Sequence, residues 1–411
     1  MAATAHLVCG RSPSWVPDVG VVYDVPRSAR SEEVSHLADP VSLVIVDDIA
    51  RAYDFGASHP LRPERVLLTY DNIRALGLVE RANVMEIKAR SATDEEITAV
   101  HDPEYVDIVQ DIDVGHRKPS FGLQFGLGTS DNPIFANMHA ASAAVCGASV
   151  TAAEAVERGD ALHAFNPAGG LHHARRREAS GFCIYNDPAV AIARFLALRP
   201  DWRVAYVDVD VHHGDGVQWI FYEDPRVLTI SLHQSGRYLY PGTGFEDELG
   251  AGEARGTAAN IPLAPGTNEE DYLWALDTLL DGLFEAYRPH VLVTQLGSDT
   301  HHGDPLANLG LTMPAYPVMA RVLHDKAHRF CEGRMVATGG GGYQFDTVVP
   351  KVWTIHFAEM CDAADVIPIE WLEDRSPVEV AVSYRAEIER SVTEVLTACR
   401  PALARLAGST S

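Results

Sequence analysis

An apolar, strand-like stretch at residues 204–216, VAYVDVDVHHGDG, carries three aspartates and two histidines. Strand side chains alternate between faces, so Asp208, Asp210 and His212 are expected on one face, with valines on the other. Carboxylates and an imidazole on one buried face are costly unless a cation neutralises them, and Asp with His suits zinc. The alternative is a solvated edge strand, but the Gly-Asp-Gly turn that follows favours a strand end that opens into a site.

A third metal ligand is available in VLVTQLGSDTHHGDPLANL, residues 291–309. Catalytic zinc keeps three protein ligands and an open position. Asp299 follows a predicted strand and completes that requirement with Asp210 and His212. His301 and His302 compete for the third place, and their alternative role is at the rim of the pocket.

Two adjacent histidines, His172 and His173, lie behind two glycines in GGLHHARRREASGFC, residues 169–183. A carboxylate that accepts a hydrogen bond from one imidazole nitrogen leaves the other nitrogen free for proton transfer. Asp208 and Asp215 are available as such partners. Two dyads of this kind would supply a general base and a general acid.

A glycine run, ATGGGGYQ at 337–344, follows another predicted strand. Glycines allow a close backbone approach and present Tyr343 inward, where its hydroxyl can donate to a developing oxyanion. No Lys-Ser/Thr pair follows the run, so it is not a phosphate-binding loop.

The alternation of predicted strands and helices explains how these distant motifs converge. It indicates an α/β fold with a mostly parallel central sheet, helices on both faces and an active site at the carboxyl ends of the strands. We expect an N-terminal extension (1–41), one catalytic domain (42–372) and a C-terminal helical segment packed on it (373–411). Strands are predicted at 42–50, 161–165, 204–212, 227–232, 291–296 and 334–338, and helices at 59–79, 139–159, 270–287, 314–331 and 373–407.

Composition excludes several classes of function. The 411 residues carry a net charge of −24, which repels nucleic acid. The six cysteines form no CxxC motif, which indicates a reducing, cytoplasmic location. We find neither a signal-peptide pattern nor the roughly 18 apolar residues that a membrane span needs.

In combination, the motifs resemble the zinc-dependent deacetylases: histone deacetylases, acetylpolyamine amidohydrolases and bacterial acetoin-utilisation deacetylases. The resemblance covers residues 42–358 and implies the arginase/deacetylase fold. RYLYPGTG and GDPLANLGLT are most similar to the acetoin-utilisation branch. The motifs that carry the resemblance are HPLRPER, GGLHHA, ASGFCIYND, VDVDVHHGDGV, ISLH, YPGTG, GSDTHHGDPLANL and GGGGY.

The resemblance implies a role for each residue of the motifs. Zinc, with iron(II) as the alternative ion in the cell, would be bound by Asp210, His212 and Asp299. The dyads would be His172 with Asp208 and His173 with Asp215, and Tyr343 would hydrogen-bond the substrate carbonyl.

The resemblance also implies a substrate tunnel and structural potassium ions. Asp131 would grip the substrate backbone, Gly181 and Phe182 would form one wall, Tyr240 the opposite wall, and Leu306 would line the pocket. Potassium would bind at two sites, formed by Asp208, Asp210, His212, Ser231 and Leu232 and by Phe221, Asp224 and Val227.

The expected activity is hydrolysis of the acetyl amide of N6-acetyl-lysine in a protein or peptide, releasing acetate. One alternative is an amidohydrolase of small acetylated amines such as polyamines. An alternative of another class is a non-catalytic acyl-binding module. An arginase-like two-manganese cluster is discounted, because only one complete three-ligand set is present. We expect no nucleic-acid or membrane partner and leave homo-oligomers open.

Overall fold

The computed structural model describes residues 38–46, 48, 52–374, 378 and 381–408. The predicted N-terminal extension therefore lies outside the described residues, except for its last four. Those four belong to the compact unit that begins at Ala38. The side chain of Asn83, for example, donates to the carbonyl of Asp39 at 2.9 Å.

The centre of the molecule is one eight-stranded, entirely parallel sheet, which confirms the predicted fold class. Short apolar runs such as VAYVD and VLVTQ are buried along their whole length, as expected for strands covered on both faces. In spatial order the strands are β2 (Val84–Lys88), β1 (Val41–Ile45), β3 (His163–Asn166), β8 (Met335–Thr338), β7 (Val291–Gln295), β4 (Val204–Asp208), β5 (Val227–Gln234) and β6 (Ala258–Leu263).

Ten α-helices among the described residues form two layers around the sheet. One layer contains α2 (Asp94–Thr98), α3 (Pro103–Asp113), α4 (Met138–Arg158), α5 (Asp187–Leu198) and α6 (Asp215–Ile220). The other contains α1 (Glu64–Ala75), α7 (Glu269–Tyr287), α8 (Ala315–Cys331), α9 (Val349–Met360) and α10 (Arg385–Gly408). None of the described helices is both long and apolar enough to cross a membrane.

Sheet register places the chemical motifs at one edge. Asp208, the last residue of β4, is level with Gln295 of β7 and Ser231 of β5. Gln295 is in turn level with Thr338, the last residue of β8. The loops that follow these strands therefore meet at the carboxyl edge of the sheet, as predicted.

The predicted strand at 204–212 is wrong in its extent, because β4 ends at Asp208. The N–H of Val209 still donates to the carbonyl of Gln295 in β7, but side-chain carboxylates are the acceptors for the residues that follow. The N–H of Asp210 donates to Asp208 Oδ1 at 3.1 Å, and the N–H of His212 donates to Asp210 Oδ1 at 2.9 Å. Asp210 and His212 therefore meet through a turned loop and not through strand alternation.

Other boundaries also differ from the predictions. The first strand stops at Ile45 rather than residue 50, and the last helix begins at Arg385 rather than 373. Two strands were not predicted, β2 and β6, and both lie at edges of the sheet. In β2 no residue is fully buried, so its hydrophobic signal is weak.

Candidate active site

Three buried side chains meet where the loops after β4 and β7 converge. Their potential ligand atoms lie within 4.8 Å of one another, and they belong to Asp210, His212 and Asp299. The Nδ1 atom of His212 is 3.0 Å from Asp210 Oδ1 and 3.2 Å from Asp299 Oδ2. Although it is that close, Asp299 Oδ2 accepts no well-directed hydrogen bond.

These residues fit a divalent cation. Two buried carboxylates with one imidazole leave excess negative charge, which a cation would neutralise. Burial lowers the pKa of His212, but its close contacts with the two aspartates and their negative charges outweigh this and raise the pKa to about 10. Gly341 leaves room beside the cluster, because a Cβ there would lie 2.0 Å from Asp299 Oδ2 and 2.6 Å from Asp210 Oδ2.

Backbone and amide donors fix the orientation of the carboxylates. The side chain of Gln295 and the N–H of Gly341 each donate to Asp210 Oδ2 at 2.7 Å. The N–H of Val211 donates to Asp299 Oδ1 at 2.9 Å. Sequence analysis assigned no role to Gln295, although its position at the end of a buried strand, beside the motifs, was a usable signal.

Two histidine–aspartate dyads flank the metal-ligand cluster, in the predicted pairing. The Nδ1 atom of His172 is 2.7 Å from Asp208 Oδ2, and that of His173 is 2.7 Å from Asp215 Oδ1. The two Nε2 atoms face each other at 3.1 Å. The Nε2 atom of His172 is also 3.8 Å from Asp210 Oδ2, so the dyads and the cluster form one site.

The two dyad histidines have opposite pKa shifts. Burial lowers the pKa of His172, but the charges of Asp208 and Asp210 outweigh burial and raise it to about 9. Burial, together with the charge of His172, lowers the pKa of His173 to about 4. These opposite shifts favour a charged, doubly protonated His172 beside a neutral His173.

Outer partners hold each dyad aspartate in place. Tyr206 donates its hydroxyl to Asp208 Oδ2 at 2.6 Å. Arg175 donates from Nη2 to Asp215 Oδ2 at 2.8 Å. Burial raises the pKa of Asp215, but its bonds with His173 and Arg175 outweigh burial and lower it to about 2. Arg175 lies in the motif GGLHHARRREASGFC, but sequence analysis assigned it no role.

The loop that carries the histidines is tied down by Asp187, another residue that sequence analysis missed. Its carboxylate accepts hydrogen bonds from the N–H groups of Gly170 (3.0 Å) and Leu171 (2.8 Å) and from the Ser149 hydroxyl. Burial raises the pKa of Asp187 to about 6 despite these donors. The Asp lies within the motif ASGFCIYND, but no local pattern shows that it reaches back to this loop.

Tyr343 stands at the same site. Its N–H donates to Asp304 Oδ2 at 2.9 Å, and its ring meets that of Phe182 edge-on at 5.8 Å between centroids. Burial, followed by the charges of Asp299 and Asp210, raises the pKa of Tyr343. The phenol thus keeps its proton and can act as a hydrogen-bond donor.

Gly181, Phe182 and Tyr240 lie around the mouth of the site. Gly181 has φ +50°, and a Cβ there would lie 2.3 Å from the His173 ring, so glycine is required for this approach. The ring of Tyr240 lies 5.1 Å from that of His173 and 6.4 Å from that of His212. Its hydroxyl is 2.5 Å from the Ser180 hydroxyl.

Asp131 and Leu306 lie farther out. Asp131 is exposed, and its carbonyl oxygen is 3.3 Å from His59 Nε2. The His59 ring is 4.5 Å from the Phe182 ring, which connects Asp131 to the same rim. Leu306 is partly buried and donates its N–H to Asp304 Oδ1 at 2.9 Å.

His301 and His302, the competitors for the third ligand position, point to a different carboxylate. Their Nε2 atoms lie 2.7 Å and 3.4 Å from Asp374 Oδ1. His301, His302 and Asp374 thus form a cluster of their own. The residue whose potential ligand atom lies close to those of Asp210 and His212 is Asp299.

The residues of the two predicted potassium sites already make local contacts. Ser231 Oγ is 2.9 Å from His233 Nδ1. At the second site, the N–H of Asp224 donates to the carbonyl of Phe221 at 3.0 Å, and the N–H of Val227 donates to that of Asp224 at 3.2 Å. Potassium binding stays a prediction.

Comparison with known proteins agrees with this geometry. Residues 59–360 match the model of the histone deacetylase domain, and the chain belongs to that family of deacetylases. It is 40% identical over 348 residues to the acetoin utilization protein AcuC of Bacillus subtilis, an alignment that spans 84% of this chain and 89% of the relative. It is 33% identical to the AcuC protein of Staphylococcus aureus strain MRSA252, over 80% of this chain and 84% of that one.

Solved structures show the same fold. A crystal structure of a histone deacetylase homologue in complex with SAHA has a TM-score of 0.74 and 30% identity, and the match covers 87% of this chain and all of that one. A histone deacetylase homologue from Aquifex aeolicus gives a TM-score of 0.73 at the same identity and coverage. The predicted family and its acetoin-utilisation branch are both confirmed.

Proposed function

We propose that this deacetylase is zinc-dependent and removes the acetyl group from N6-acetyl-lysine in proteins, releasing acetate. The observation that carries the proposal is the contact between the dyads and the ligand cluster, with His172 Nε2 at 3.8 Å from Asp210 Oδ2. Proton-transfer groups beside a metal site are the arrangement that hydrolysis of an amide requires. A module that only bound acyl groups would have no use for two oriented dyads.

Asp210, His212 and Asp299 would hold the ion. When bound, zinc would polarise the acetyl carbonyl and acidify a water molecule, and iron(II) is the alternative ion in the cell. Gln295 and the N–H of Gly341 keep the Asp210 carboxylate oriented, and the N–H of Val211 does the same for Asp299. Outer contacts of this kind typically contribute about 10–100-fold to metal affinity or activity.

The two histidines divide the proton work. Each donates its Nδ1 proton to an aspartate, which leaves Nε2 as the nitrogen available for proton transfer. The pair accepts the proton of the attacking water at Nε2. His173 then returns a proton to the amine nitrogen that leaves.

Tyr343 donates its hydroxyl proton to the oxygen of the acetyl group as negative charge develops there. Its raised pKa keeps the phenol protonated through this step. A donor of this kind typically contributes about 10²–10³-fold to turnover.

The aromatic side chains at the mouth of the site support the proposal that the acetyl group is carried by a lysine side chain. Phe182 and Tyr240 present ring faces and edges to a neutral, acylated chain, and Leu306 would add apolar surface. The exposed Asp131 would accept hydrogen bonds from the backbone of a peptide substrate.

We also propose structural potassium at the two predicted sites, a cytoplasmic location, and a catalytic domain over residues 42–372 with the segment 373–411 packed on it. The location is supported by the five buried cysteines of the described residues, all of which are free. The packing is supported by contacts of α10 with α7 and β6.

The test compares acetate release from an acetyl-lysine peptide and from acetylspermidine by the zinc-loaded enzyme. Turnover of the peptide, abolished by Asp210→Ala, is the expected result. Turnover of acetylspermidine alone would contradict the protein substrate and favour the polyamine alternative. Absence of turnover on both, with zinc bound, would contradict the proposed activity.

A further inference from the structure

Three histidines converge at the opposite, amino edge of the sheet. His163 is the first residue of β3, and His324 and His328 lie one turn apart on α8. Their potential ligand atoms lie within 4.8 Å of one another. We call these three residues the triple-histidine cluster.

The Nε2 atoms of the cluster point at one another. The Nε2 atom of His324 is 3.1 Å from that of His163 and 3.0 Å from that of His328. The three rings lie 4.6–5.1 Å apart and are inclined by 74–85° to one another. This is the arrangement of three ligands around one point, because the rings converge on their nitrogens instead of stacking.

Hydrogen bonds alone do not account for this arrangement. The nitrogen of a neutral imidazole either donates one proton or accepts at one lone pair. The central Nε2 of His324 therefore cannot donate to one neighbour and accept from the other. A metal ion takes a lone pair from each of the three nitrogens at once.

The separations match a metal with short bonds to nitrogen. Tetrahedral zinc with a Zn–N distance of about 2.0–2.1 Å places neighbouring ligand nitrogens about 3.3 Å apart. The observed separations of 3.0 and 3.1 Å differ from this by only a few tenths of an ångström.

Carboxylates supply a fourth ligand and outer support. Asp39 Oδ2 is 3.5 Å from His328 Nε2, and the Asp39 side chain is 37% exposed. Glu359 Oε1 is 4.0 Å from His324 Nδ1, on the far side of that ring, where an outer carboxylate orients a ligating imidazole. His328 also lies in the last turn of α8, where the helix dipole favours a positive charge.

The surroundings indicate a structural ion and not a second catalytic one. His163 and His324 are buried, and His328 and Asp39 are partly exposed, which gives an ion an entry path from solvent. The ligands would tie β3, α8 and the segment before β1 together.

We infer that the triple-histidine cluster, with Asp39, binds a divalent transition metal, zinc in the first instance, that is separate from the active-site ion. Imidazole ligands suit zinc, and three of them with a carboxylate make a closed tetrahedral site. The inference does not depend on the proposed activity.

The experiment counts zinc in the untagged full chain after removal of metal and dialysis against buffered zinc. We expect two equivalents in the wild type and one in His328→Gln, with unchanged acetate release per active-site zinc. His116→Gln is the matched control, because this histidine is 75% exposed and lies outside the cluster. It should keep both equivalents.

Asp210→Ala, which removes a ligand of the other site, isolates the cluster. This variant should keep one equivalent, and zinc should raise its melting temperature. Adding His328→Gln should abolish both effects. His324→Asn is a second way to open the cluster, and circular dichroism verifies that each variant is folded.

One zinc in the wild type with none in Asp210→Ala would overturn the inference. So would an unchanged zinc count in both folded cluster variants. Absence of acetate release with both ions bound would contradict the proposed function and leave the inference of a second metal site unaffected.

Discussion

The two edges of the sheet both gather histidines, but they surround them with different groups. At the carboxyl edge, His212 lies between two fully buried aspartates, and two further histidines each pair with a carboxylate at 2.7 Å. At the amino edge, three imidazoles face one another, and the carboxylates stand 3.5 Å or more away. The metal site that we infer at the amino edge has no dyad or phenol beside it, whereas the carboxyl edge has both, as the proposed catalysis requires.

The largest expected effect comes from breaking the carboxyl edge at its third ligand. Asp299→Asn should remove the active-site zinc and lower deacetylation by about 10³-fold or more, because the polarising ion supplies several kcal/mol. Zinc content and turnover are measured together. Asp374→Asn is the control, since its carboxylate contacts His301 and His302 instead, and retained zinc there would sharpen the contrast. Loss of zinc only in the control would reverse the assignment of the third ligand.

The next effect separates catalysis from binding. Tyr343→Phe removes one hydroxyl, so it should lower kcat by about 10²–10³-fold while both zinc equivalents remain. Steady-state kinetics and metal analysis on the same sample check this. Turnover like that of the wild type would exclude the phenol from oxyanion stabilisation.

A smaller effect is expected from the outer partner of a dyad. Arg175→Gln removes the second contact of Asp215, and we expect about a 10-fold loss of kcat with a shifted pH profile. Arg177→Gln is the matched control, because Arg177 pairs with the exposed Glu104 and is itself 60% exposed. Equal losses in the two variants would show that the effect is one of general surface charge.

The smallest expected effect is on the pH dependence of stability, and it comes from two buried histidines that belong to neither the active site nor the triple-histidine cluster. Burial lowers the pKa of His101 to about 4 and that of His356 to about 3. The unfolded chain therefore takes up protons first as the pH falls below about 6.5, and stability is lost from that pH downward. Each of these two histidines should lower the free energy of unfolding by about 1 kcal/mol when the pH falls from about 7.5 to about 5.5.

Denaturant unfolding at the two pH values measures this loss. His356→Leu cannot take up a proton and should reduce the pH dependence by about 1 kcal/mol. An unchanged dependence would mean that His356 titrates alike in the folded and unfolded states.

Much of the carboxyl edge could be predicted from sequence, because its residues follow strands in short motifs. The rule that parallel strands share a carboxyl edge was enough to bring Asp299 to Asp210 and His212. Asp210 and His212 were grouped by strand alternation, and the structure brings them together through a turned loop instead. The end of β4 could not be predicted, because Val209 and Val211 continue the strand pattern while side-chain acceptors divert the backbone.

The supporting residues were beyond sequence reasoning for a different reason. Asp187 and Arg175 act on partners 16–17 and 40 positions away along the chain, so their roles depend on the fold. The triple-histidine cluster is the extreme case. His163 and His324 are separated by 161 residues, and only the packing of α8 against the amino edge unites them.

The most direct test of the contrast between the edges is acetate release from an acetyl-lysine peptide by zinc-loaded wild type, Asp210→Ala and His328→Gln, measured side by side. The account predicts that Asp210→Ala releases none while His328→Gln matches the wild type. Turnover by Asp210→Ala, or its loss in a folded His328→Gln, would contradict the division between a catalytic edge and a structural one.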